Sequence, residues 1–190
     1  MKCTKEDLVS KAIELFKQKG FENITVSQIC QACHVTKGSF YHHFKTKNEV
    51  LLSYYSILLK NPTAMMVDVL GTKSHKEQLW MVLEYSIDAT LKLGPDLLYN
   101  MIIADMEQGA TLFTPNAAAL ERDTKDYGEI SFKLIEMAQK QKEILSERSP
   151  EELWFAYISG LIGIAMHWSA GGGIYDEKKA LRNLFDIIFA

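Results

Sequence analysis

Apolar residues recur along this chain at intervals of three and four, which is the spacing of one face of an α-helix. Leu8, Ala12, Leu15 and Phe16 form the first such face, and Gly20 is expected to end that helix. The sequence contains no convincing run in which apolar and polar residues alternate as they do along a β-strand. The pattern therefore predicts an all-α protein.

Capping residues divide the rest of the chain into further helices. Thr25 with Gln28, and Thr46 with Glu49, have the spacing of a capping box, and Thr36 is placed to cap a short helix between them. Later caps, glycines and prolines predict helices over about 74–93, 96–107, 115–142, 150–170 and 177–190. The total is about nine helices.

Proline and glycine mark several of the predicted helix ends. Asn61–Pro62 should stop or kink the fourth helix, and Thr114–Pro115 should start a later one. Ser149–Glu152 combines a cap, a first-position proline and a box-closing glutamate, which is a clear helix start. Gly171–Gly173 should end that helix.

The longest apolar stretch, residues 153–174, has no Asp, Glu, Lys or Arg over a length that would cross a bilayer. Its triple glycine, His167 and the absence of basic flanking anchors favour a buried central helix instead. A stripe of small residues along it would let another helix approach closely. We therefore predict that two copies of the chain pair through this helix and the apolar face of the last one. The predicted interface residues are Ala156, Gly160, Gly163, Ala170, Leu181, Leu184, Phe185 and Ile188.

Charge is distributed unevenly within a net charge of −3. Residues 1–47 contain eight lysines and four acidic residues, whereas residues 48–190 contain thirteen basic and twenty acidic ones. A small basic domain over 1–47 and a larger acidic one over 48–190 are typical of a DNA-binding module joined to a different domain. The N-terminus lacks the apolar run of a signal peptide, and three cysteines are too few for a disulfide framework, so a cytoplasmic location is expected.

Residues 30–34 read Cys-Gln-Ala-Cys-His, the pattern by which c-type haem is attached, and the two cysteines also suggest half of a zinc site. Haem attachment follows export, and zinc would need Cys3 as its fourth ligand. We therefore expect no metal and no cofactor. Cys30 and Cys33 share a helix face with Ile29 and are interpreted as small core residues. A thiol-responsive regulator that uses both cysteines remains an alternative.

Residues 25–47 form two short helices joined by a tight turn, which is a helix-turn-helix. Val35, Phe40 and Phe44 complete its core, and His34 occupies the turn, where a left-handed backbone is expected. The residues left exposed on the second of these helices are lysine, small residues, tyrosine and histidines. Such groups bind phosphates and base edges of DNA.

The stretch GFENITVSQICQACHVTKGSFYHHFKTKNEVL resembles the signature of TetR-type (tetracycline-repressor family) transcriptional repressors. The likeness rests on Gly20–Phe21, on Thr25–Val26 with Ile29, on the run 35–44 and on Lys47 before Glu49, and it covers about the first 55 residues. Carried over by position, it implies DNA contacts by Thr25, Ser27, Thr36, Lys37, Gly38, Ser39, Tyr41, His42, His43 and Lys47. Two departures are His34, where the family usually has glycine, and Cys30 and Cys33, where it has small residues, often alanine.

The resemblance also implies partners. A TetR-type protein is a ligand-responsive regulator, most often a repressor, that binds a (pseudo)palindromic DNA operator as a homodimer. A small-molecule effector binds its larger domain and releases the DNA. These partners are expected here by resemblance alone, and the sequence does not identify the effector.

Aromatic and methionine side chains, which suit an adaptable apolar pocket, are frequent in the middle of the chain. We interpret ten as effector-binding candidates, with core packing as the alternative for each: Trp80, Tyr85, Tyr99, Met101, Met106, Phe113, Met137, Trp154, Tyr157 and His167. The chain has no glycine-rich phosphate loop and no His-Glu-x-x-His helix, so no catalytic residues and no enzyme activity are expected. A helical interaction protein that does not bind DNA is a further alternative.

Overall fold

The computed structural model of the chain describes residues 3–59, 63–109 and 122–190. The predicted all-α fold is confirmed, because the regular structure in these ranges is helical. Ten helices are described: α1 (Lys5–Lys19), α2 (Val26–Ala32), α3 (Lys37–His43), α4 (Lys47–Leu59), α5 (Thr63–Gly71), α6 (His75–Leu91), α7 (Pro95–Glu107), α8 (Arg122–Lys140), α9 (Pro150–Ala170) and α10 (Glu177–Ile188). The predicted signals at Asn61–Pro62 and Thr114–Pro115, and the candidate Phe113, lie outside the described residues.

Helix α5 is the element that the sequence pattern does not predict. Its nine residues, Thr-Ala-Met-Met-Val-Asp-Val-Leu-Gly, are mostly apolar. A stretch this short does not contain enough helical turns for its periodicity to distinguish a helix from other structure. The sequence therefore predicts only a helix stop before this segment, and the ten helices of the described ranges agree with the predicted total of about nine.

Helices α1 to α4 enclose the first of two apolar cores. Phe16 of α1, Ile29 and Cys30 of α2, Phe40 of α3 and Val50 of α4 are all buried in it. Helices α2 and α3 have only seven residues each, which is too short for independent stability in water. The helix-turn-helix therefore depends on packing against α1 and α4.

This first core continues from the helix-turn-helix into α7 and α9. Leu98 and Met101 of α7, with Trp168 of α9, belong to the same buried cluster as Phe16 and Phe40. An outward displacement of α7 would thus disturb residues that also support the helix-turn-helix. The proposed boundary between domains at residues 47 and 48 is crossed by this shared packing.

Polar contacts reinforce the same connection at the surface. The Lys17 ammonium donates a hydrogen bond to the Lys92 carbonyl over 2.6 Å. The Phe21 N–H donates to the Asp96 carboxylate over 3.3 Å. The end of α1 and the start of the turn after it are therefore attached to the α6–α7 connection.

A second core lies between α6, α8, α9 and α10. Leu79, Ile135, Tyr157 and Phe185 are fully buried in it. Within the described ranges, α9 is the one helix long and apolar enough to cross a membrane. It packs against α7, α8 and α10, as the central helix of a protein core does.

The structure divides the predicted dimer residues into two groups. Leu181 and Phe185 are buried in the second core of their own chain, so these side chains are unavailable to a second copy. Gly160 faces α10 of the same chain, where an added Cβ would come within 2.7 Å of Leu184 Cδ2. Its small size serves the packing of α9 on α10. The exposed members are Ala156, Gly163 and Ala170, while Leu184 and Ile188 are half-buried.

The glycine-rich turn after α9 reverses the chain sharply. Gly172 and Gly173 have φ angles of 73° and 78°, a left-handed backbone that glycine adopts without steric cost. The Trp168 indole N–H donates to the Tyr175 carbonyl over 2.9 Å and fixes the far side of the turn. As a result, Glu177 at the start of α10 is directed into the protein.

Candidate nucleic-acid interface and internal cavity

Helix α3 presents a polar face to solvent. Phe40 and Phe44 are buried beneath it and fix its orientation. Tyr41 is 54% exposed, and its ring meets Phe40 edge to face with the centroids 5.5 Å apart. The exposed residues of the helix are Lys37, Gly38, Ser39, Tyr41, His42 and His43. They combine a cation, hydroxyls and imidazoles on one surface, and Lys45 follows them just after the helix, exposed and absent from the sequence prediction.

Two of the predicted DNA contacts also cap helices. Thr25 Oγ1 accepts a hydrogen bond from the Gln28 N–H (3.3 Å) and donates to Gln28 Oε1 (2.9 Å). The Thr25 N–H donates to the same oxygen over 2.8 Å, which confirms the predicted capping box. Thr36 Oγ1 accepts from the Ser39 N–H over 3.2 Å and can still donate outward. Ser27 is exposed on the first turn of α2.

The turn between α2 and α3 has the predicted left-handed residue. His34 has a φ of 54°, and the Val35 N–H donates to the Cys30 carbonyl over 3.0 Å. Histidine is among the side chains that adopt this conformation more often than most, which explains how the chain manages without the family's usual glycine. The motif Cys-Gln-Ala-Cys-His is therefore the end of α2 and the beginning of the turn.

The thiols of this motif are poor nucleophiles. Cys30 is buried in the first core, and Cys33 is half-buried beside it. Burial raises the pKa of both thiols, and with the neighbouring Cys3 it raises the pKa of Cys33 to about 11. Both groups are protonated at neutral pH, whereas the thiolate is the reactive form, so the thiol-responsive alternative is disfavoured. Across the described ranges, no three His, Cys, Asp or Glu side chains are grouped to hold a metal ion.

Lys47, the last of the predicted DNA contacts, is the most enclosed of them. Its side chain is 22% exposed, and its ammonium donates to the Phe21 carbonyl over 3.0 Å. The same ammonium lies 4.2 Å from the centroid of the Phe21 ring and 3.5 Å from the Glu22 carboxylate. A Lys47→Ala variant would therefore change packing around the turn as well as any contact with DNA.

Gly38 has no packing reason to be glycine in the free protein. Its φ is not left-handed, and a Cβ added to it would meet nothing closer than Thr36 Oγ1, at 3.7 Å. Alanine in its place should stabilise α3, by up to about 1 kcal/mol, through its higher helix propensity. We expect Gly38→Ala to keep or raise the melting temperature but to weaken DNA binding about tenfold, because the methyl group meets the DNA backbone.

Gly128→Ala is the matched control for this experiment. Gly128 lies inside α8, and an added Cβ there also meets nothing within 4 Å. The melting temperature of the Gly128→Ala protein should rise in the same way, while its DNA affinity, measured by fluorescence anisotropy, stays unchanged. Equal DNA affinity for Gly38→Ala and the unaltered protein would show that DNA does not approach α3 at this position.

The fold does not gather the nine described effector candidates around one cavity. Four are buried in the two cores, namely Met101, Trp80, Trp154 and Tyr157. Another four are exposed, namely Tyr99, Met106, Met137 and His167. Tyr85 is half-buried, and its hydroxyl donates to the Leu58 carbonyl over 3.2 Å. Core packing accounts for the buried group.

A small cavity of about 20 Å³ lies between α4, α6, α7, α9 and α10. Tyr55 and Leu98 line it from the first core, and Leu161 and Leu181 line it from the second. Its polar lining groups are the hydroxyls of Tyr55, Ser86 and Thr90 and the carboxyl of Glu177. None of the nine effector candidates within the described residues lines it, because those candidates are mainly aromatic and methionine side chains whereas the lining is mainly aliphatic. The available signal was Ser86 and Thr90, which are spaced by one helical turn next to the buried Ile87 of α6.

Two short helices in a helix-turn-helix, with an exposed polar second helix and a larger helical body, define a DNA-binding regulator. Residues 8–54 match the family described as bacterial regulatory proteins, tetR family, so the match runs from α1 into α4. The resemblance to TetR-type regulators that the sequence shows is thereby confirmed over the helix-turn-helix and its flanking helices.

Individual relatives agree with this assignment. The transposon Tn10 TetC protein of Escherichia coli is 36% identical over 83 residues, which are 44% of this chain and 40% of that protein. The uncharacterized HTH-type transcriptional regulator YvdT of Bacillus subtilis is 27% identical over 125 residues, 62% of this chain and 63% of that protein. The chain therefore matches less than two thirds of the length of either relative.

The similarity to a solved structure extends over nearly the whole chain. FadR of Thermus thermophilus, a TetR-family transcriptional repressor solved in complex with lauroyl-CoA, has a TM-score of 0.68 at 21% identity. The alignment covers 97% of this chain and 93% of that chain. The helical body behind the DNA-binding domain thus has the fold seen in TetR-family regulators.

Proposed function

We propose that this protein is a ligand-responsive transcriptional repressor of the cytoplasm that binds a two-fold symmetric DNA operator as a homodimer. The observation that carries the proposal is the exposed polar face of α3 above the buried Phe40 and Phe44. In a helix-turn-helix, the second helix enters the major groove and the first crosses the backbone. Ser27 at the start of α2 and Lys37 at the start of α3 are placed on exposed first turns, where they suit phosphate contacts.

Two-fold symmetry requires a surface through which two copies meet. Helix α9 exposes the stripe residues Ala156 and Gly163 together with the large apolar Phe155, and α10, which packs against α9, exposes Ile187. Large apolar residues at more than two thirds exposure, next to residues without bulk, suit helix-to-helix contact between copies. We place the dimer interface on this face of α9 and α10.

The dimer is tested by filling the stripe. An added Cβ at Gly163 meets nothing within 4 Å in its own chain, so Gly163→Leu should fold. At a close interface the extra side chain overpacks the contact, and we expect the dimer dissociation constant to rise at least about tenfold. Sedimentation equilibrium measures this change, with Gly128→Leu as the control on α8. If the unaltered chain is a monomer at micromolar concentration, the dimer proposal is wrong.

The position of the cavity suggests how an effector acts. The cavity lies where the two cores meet, and one of those cores also supports the helix-turn-helix. An effector that prefers one arrangement of α7 relative to α10 would shift the position of the DNA-binding helices. FadR of Thermus thermophilus was solved with lauroyl-CoA, which supports the proposal that this fold holds an effector in its body.

DNA binding itself is tested on the protein's own upstream DNA. Footprinting should show two protected half-sites about one helical turn apart. Fluorescence anisotropy on that fragment should show an affinity that falls steeply with salt, because phosphate contacts release counterions. A helical interaction protein that does not bind DNA would show neither effect. Binding that is insensitive to both sequence and salt would contradict the proposed function.

A further inference from the structure

The cavity between the two cores is apolar except at a few defined points. Leucine, isoleucine and alanine side chains form most of its wall. Glu177 is its one charged residue within the described part of the chain. A carboxyl group in such surroundings is costly unless something bonds to it, because burial removes it from water. Glu177 therefore needs a specific explanation.

Glu177 is enclosed and incompletely bonded. The residue is 2% exposed, and its Oε2 atom has no hydrogen-bond partner among the described residues. The next residue, Lys178, directs its ammonium elsewhere, to Glu84 at 2.8 Å and to Asp88 at 3.0 Å. The nearest basic side chain in the sequence is thus already engaged by two other carboxylates, outside the cavity lining.

The hydroxyls of Ser86 and Thr90 have no hydrogen left to donate into the cavity. The Ser86 hydroxyl donates to the Leu83 carbonyl over 2.7 Å, and the Thr90 hydroxyl donates to the Ile87 carbonyl over 2.8 Å. Each hydroxyl hydrogen is used within α6, so each oxygen has only lone pairs left for the cavity. An ionised Glu177 likewise only accepts. Beside the phenol of Tyr55, which also lines the cavity, these three groups favour a molecule that donates hydrogen bonds and carries positive charge.

We propose that the cavity binds an apolar amine, with its ammonium group on the Glu177 carboxylate and its hydrocarbon body between the two cores. This inference rests on the proposed function, because it names the chemical class of the effector. The present cavity of about 20 Å³ has room for an ammonium-sized head group. The hydrocarbon body occupies space now filled by Leu98, Leu161 and Leu181, so binding separates α7 from α10 and reaches the core that supports α3.

The test uses three probes with the same body and different head groups: hexylamine, hexanol and hexanoate. Titration calorimetry and thermal shift on the full chain at pH 8 should show saturable binding of hexylamine. Hexanol should bind at least about tenfold more weakly, and hexanoate should not bind, because a charge-assisted hydrogen bond is lost or replaced by repulsion. Equal binding of hexylamine and hexanol, or no binding of hexylamine, would overturn the inference.

Two variants locate the contact. Glu177→Gln should weaken the binding of hexylamine at least about tenfold while leaving the affinity for hexanol unchanged. Glu136→Gln, at an exposed position of α8, should bind hexylamine as the unaltered protein does. Undiminished hexylamine binding by a folded Glu177→Gln protein would also overturn the inference. If that variant does not fold, the head-group series on the unaltered chain still decides.

Operator binding measured on the same preparations separates this inference from the proposed function. A protein that binds its upstream DNA but not hexylamine contradicts the amine site and leaves the repressor proposal standing. A protein that binds hexylamine through Glu177 but no DNA contradicts the repressor proposal and leaves the amine site standing. Release of bound DNA by hexylamine, and not by hexanoate, supports both.

Discussion

Replacing Tyr41 by alanine is expected to weaken operator binding about 100-fold while the melting temperature stays nearly unchanged. The ring is 54% exposed and meets Phe40 of the core edge to face, so little packing is lost. A hydrogen bond from the hydroxyl to a charged phosphate is worth about 1.5 kcal/mol or more. A dimer on a two-fold symmetric operator loses it twice, which is about 3 kcal/mol, or about 100-fold in the dissociation constant.

Two further variants make this result specific. Tyr41→Phe keeps the contact with Phe40 and removes only the hydroxyl, so it should weaken DNA binding almost as much as alanine does. Tyr99→Ala removes a tyrosine of similar exposure from α7 and should leave DNA affinity unchanged. Fluorescence anisotropy at one fixed salt concentration compares all three. A large fall in the melting temperature of Tyr41→Ala would show that the ring serves packing.

Glu177→Gln is expected to stabilise the free protein above neutral pH. Burial raises the pKa of the Glu177 carboxyl from 4.5 to about 7. Between these two pH values, Glu177 therefore keeps its proton in the folded state and has released it in the unfolded state. The free energy of unfolding of the unaltered protein should fall by about 3 kcal/mol as pH rises through this window. Glutamine stays neutral, so the variant should gain about that much at pH 8 and almost nothing at pH 4.

Denaturant unfolding of both proteins from pH 4 to pH 8, at one protein concentration, measures the difference. Other charges near Glu177 are Lys178, paired with Glu84 and Asp88, and the phenol of Tyr175, whose pKa burial raises. These groups are present in both proteins, so their contributions cancel in the difference between the two curves. Parallel curves for the variant and the unaltered protein would contradict a buried carboxyl without a partner.

Glu77→Gln is a control that is expected to change the free energy of unfolding in the opposite direction. Two hydrogen bonds from the Arg182 guanidinium, of 3.0 and 2.8 Å, lower the pKa of Glu77. Its ionised form stabilises the folded state above its ordinary pKa, and that stabilisation disappears as pH falls through the lowered value. Glu77→Gln should therefore be less stable than the unaltered protein at neutral pH, with an offset that shrinks in acid rather than in base.

Local sequence signals were sufficient to predict the helix-turn-helix. The Thr25–Gln28 box, the cap at Thr36 and the left-handed turn at His34 depend on neighbours within a few residues. The apolar positions of α2 and α3 recur with helical spacing, so they also predict which side chains are left exposed. Helix α5 was missed because nine apolar residues contain too few turns to define a period.

In the helical body, only tertiary packing decided which residues form the core and which are exposed, because both groups contain the same small and apolar residue types. Small and apolar residues on α9 and α10 have one pattern in the sequence, yet Gly160 and Phe185 face their own chain while Gly163 and Ile187 face outward. A helix surrounded by others on several sides has more than one apolar face, and its sequence does not tell which neighbour covers each.

The sequence by itself determined the all-α fold and the DNA-binding domain, because caps, turns and helical periodicity act over a few residues. Only the tertiary structure revealed the cavity and its carboxyl. Glu177 follows the helix cap Asp176 and has the sequence context of an ordinary exposed acid at a helix start. The reversal at Gly172 and Gly173 directs it into the protein, against α4, α6, α7 and α9. That placement depends on contacts between residues far apart in the chain, which no local pattern records.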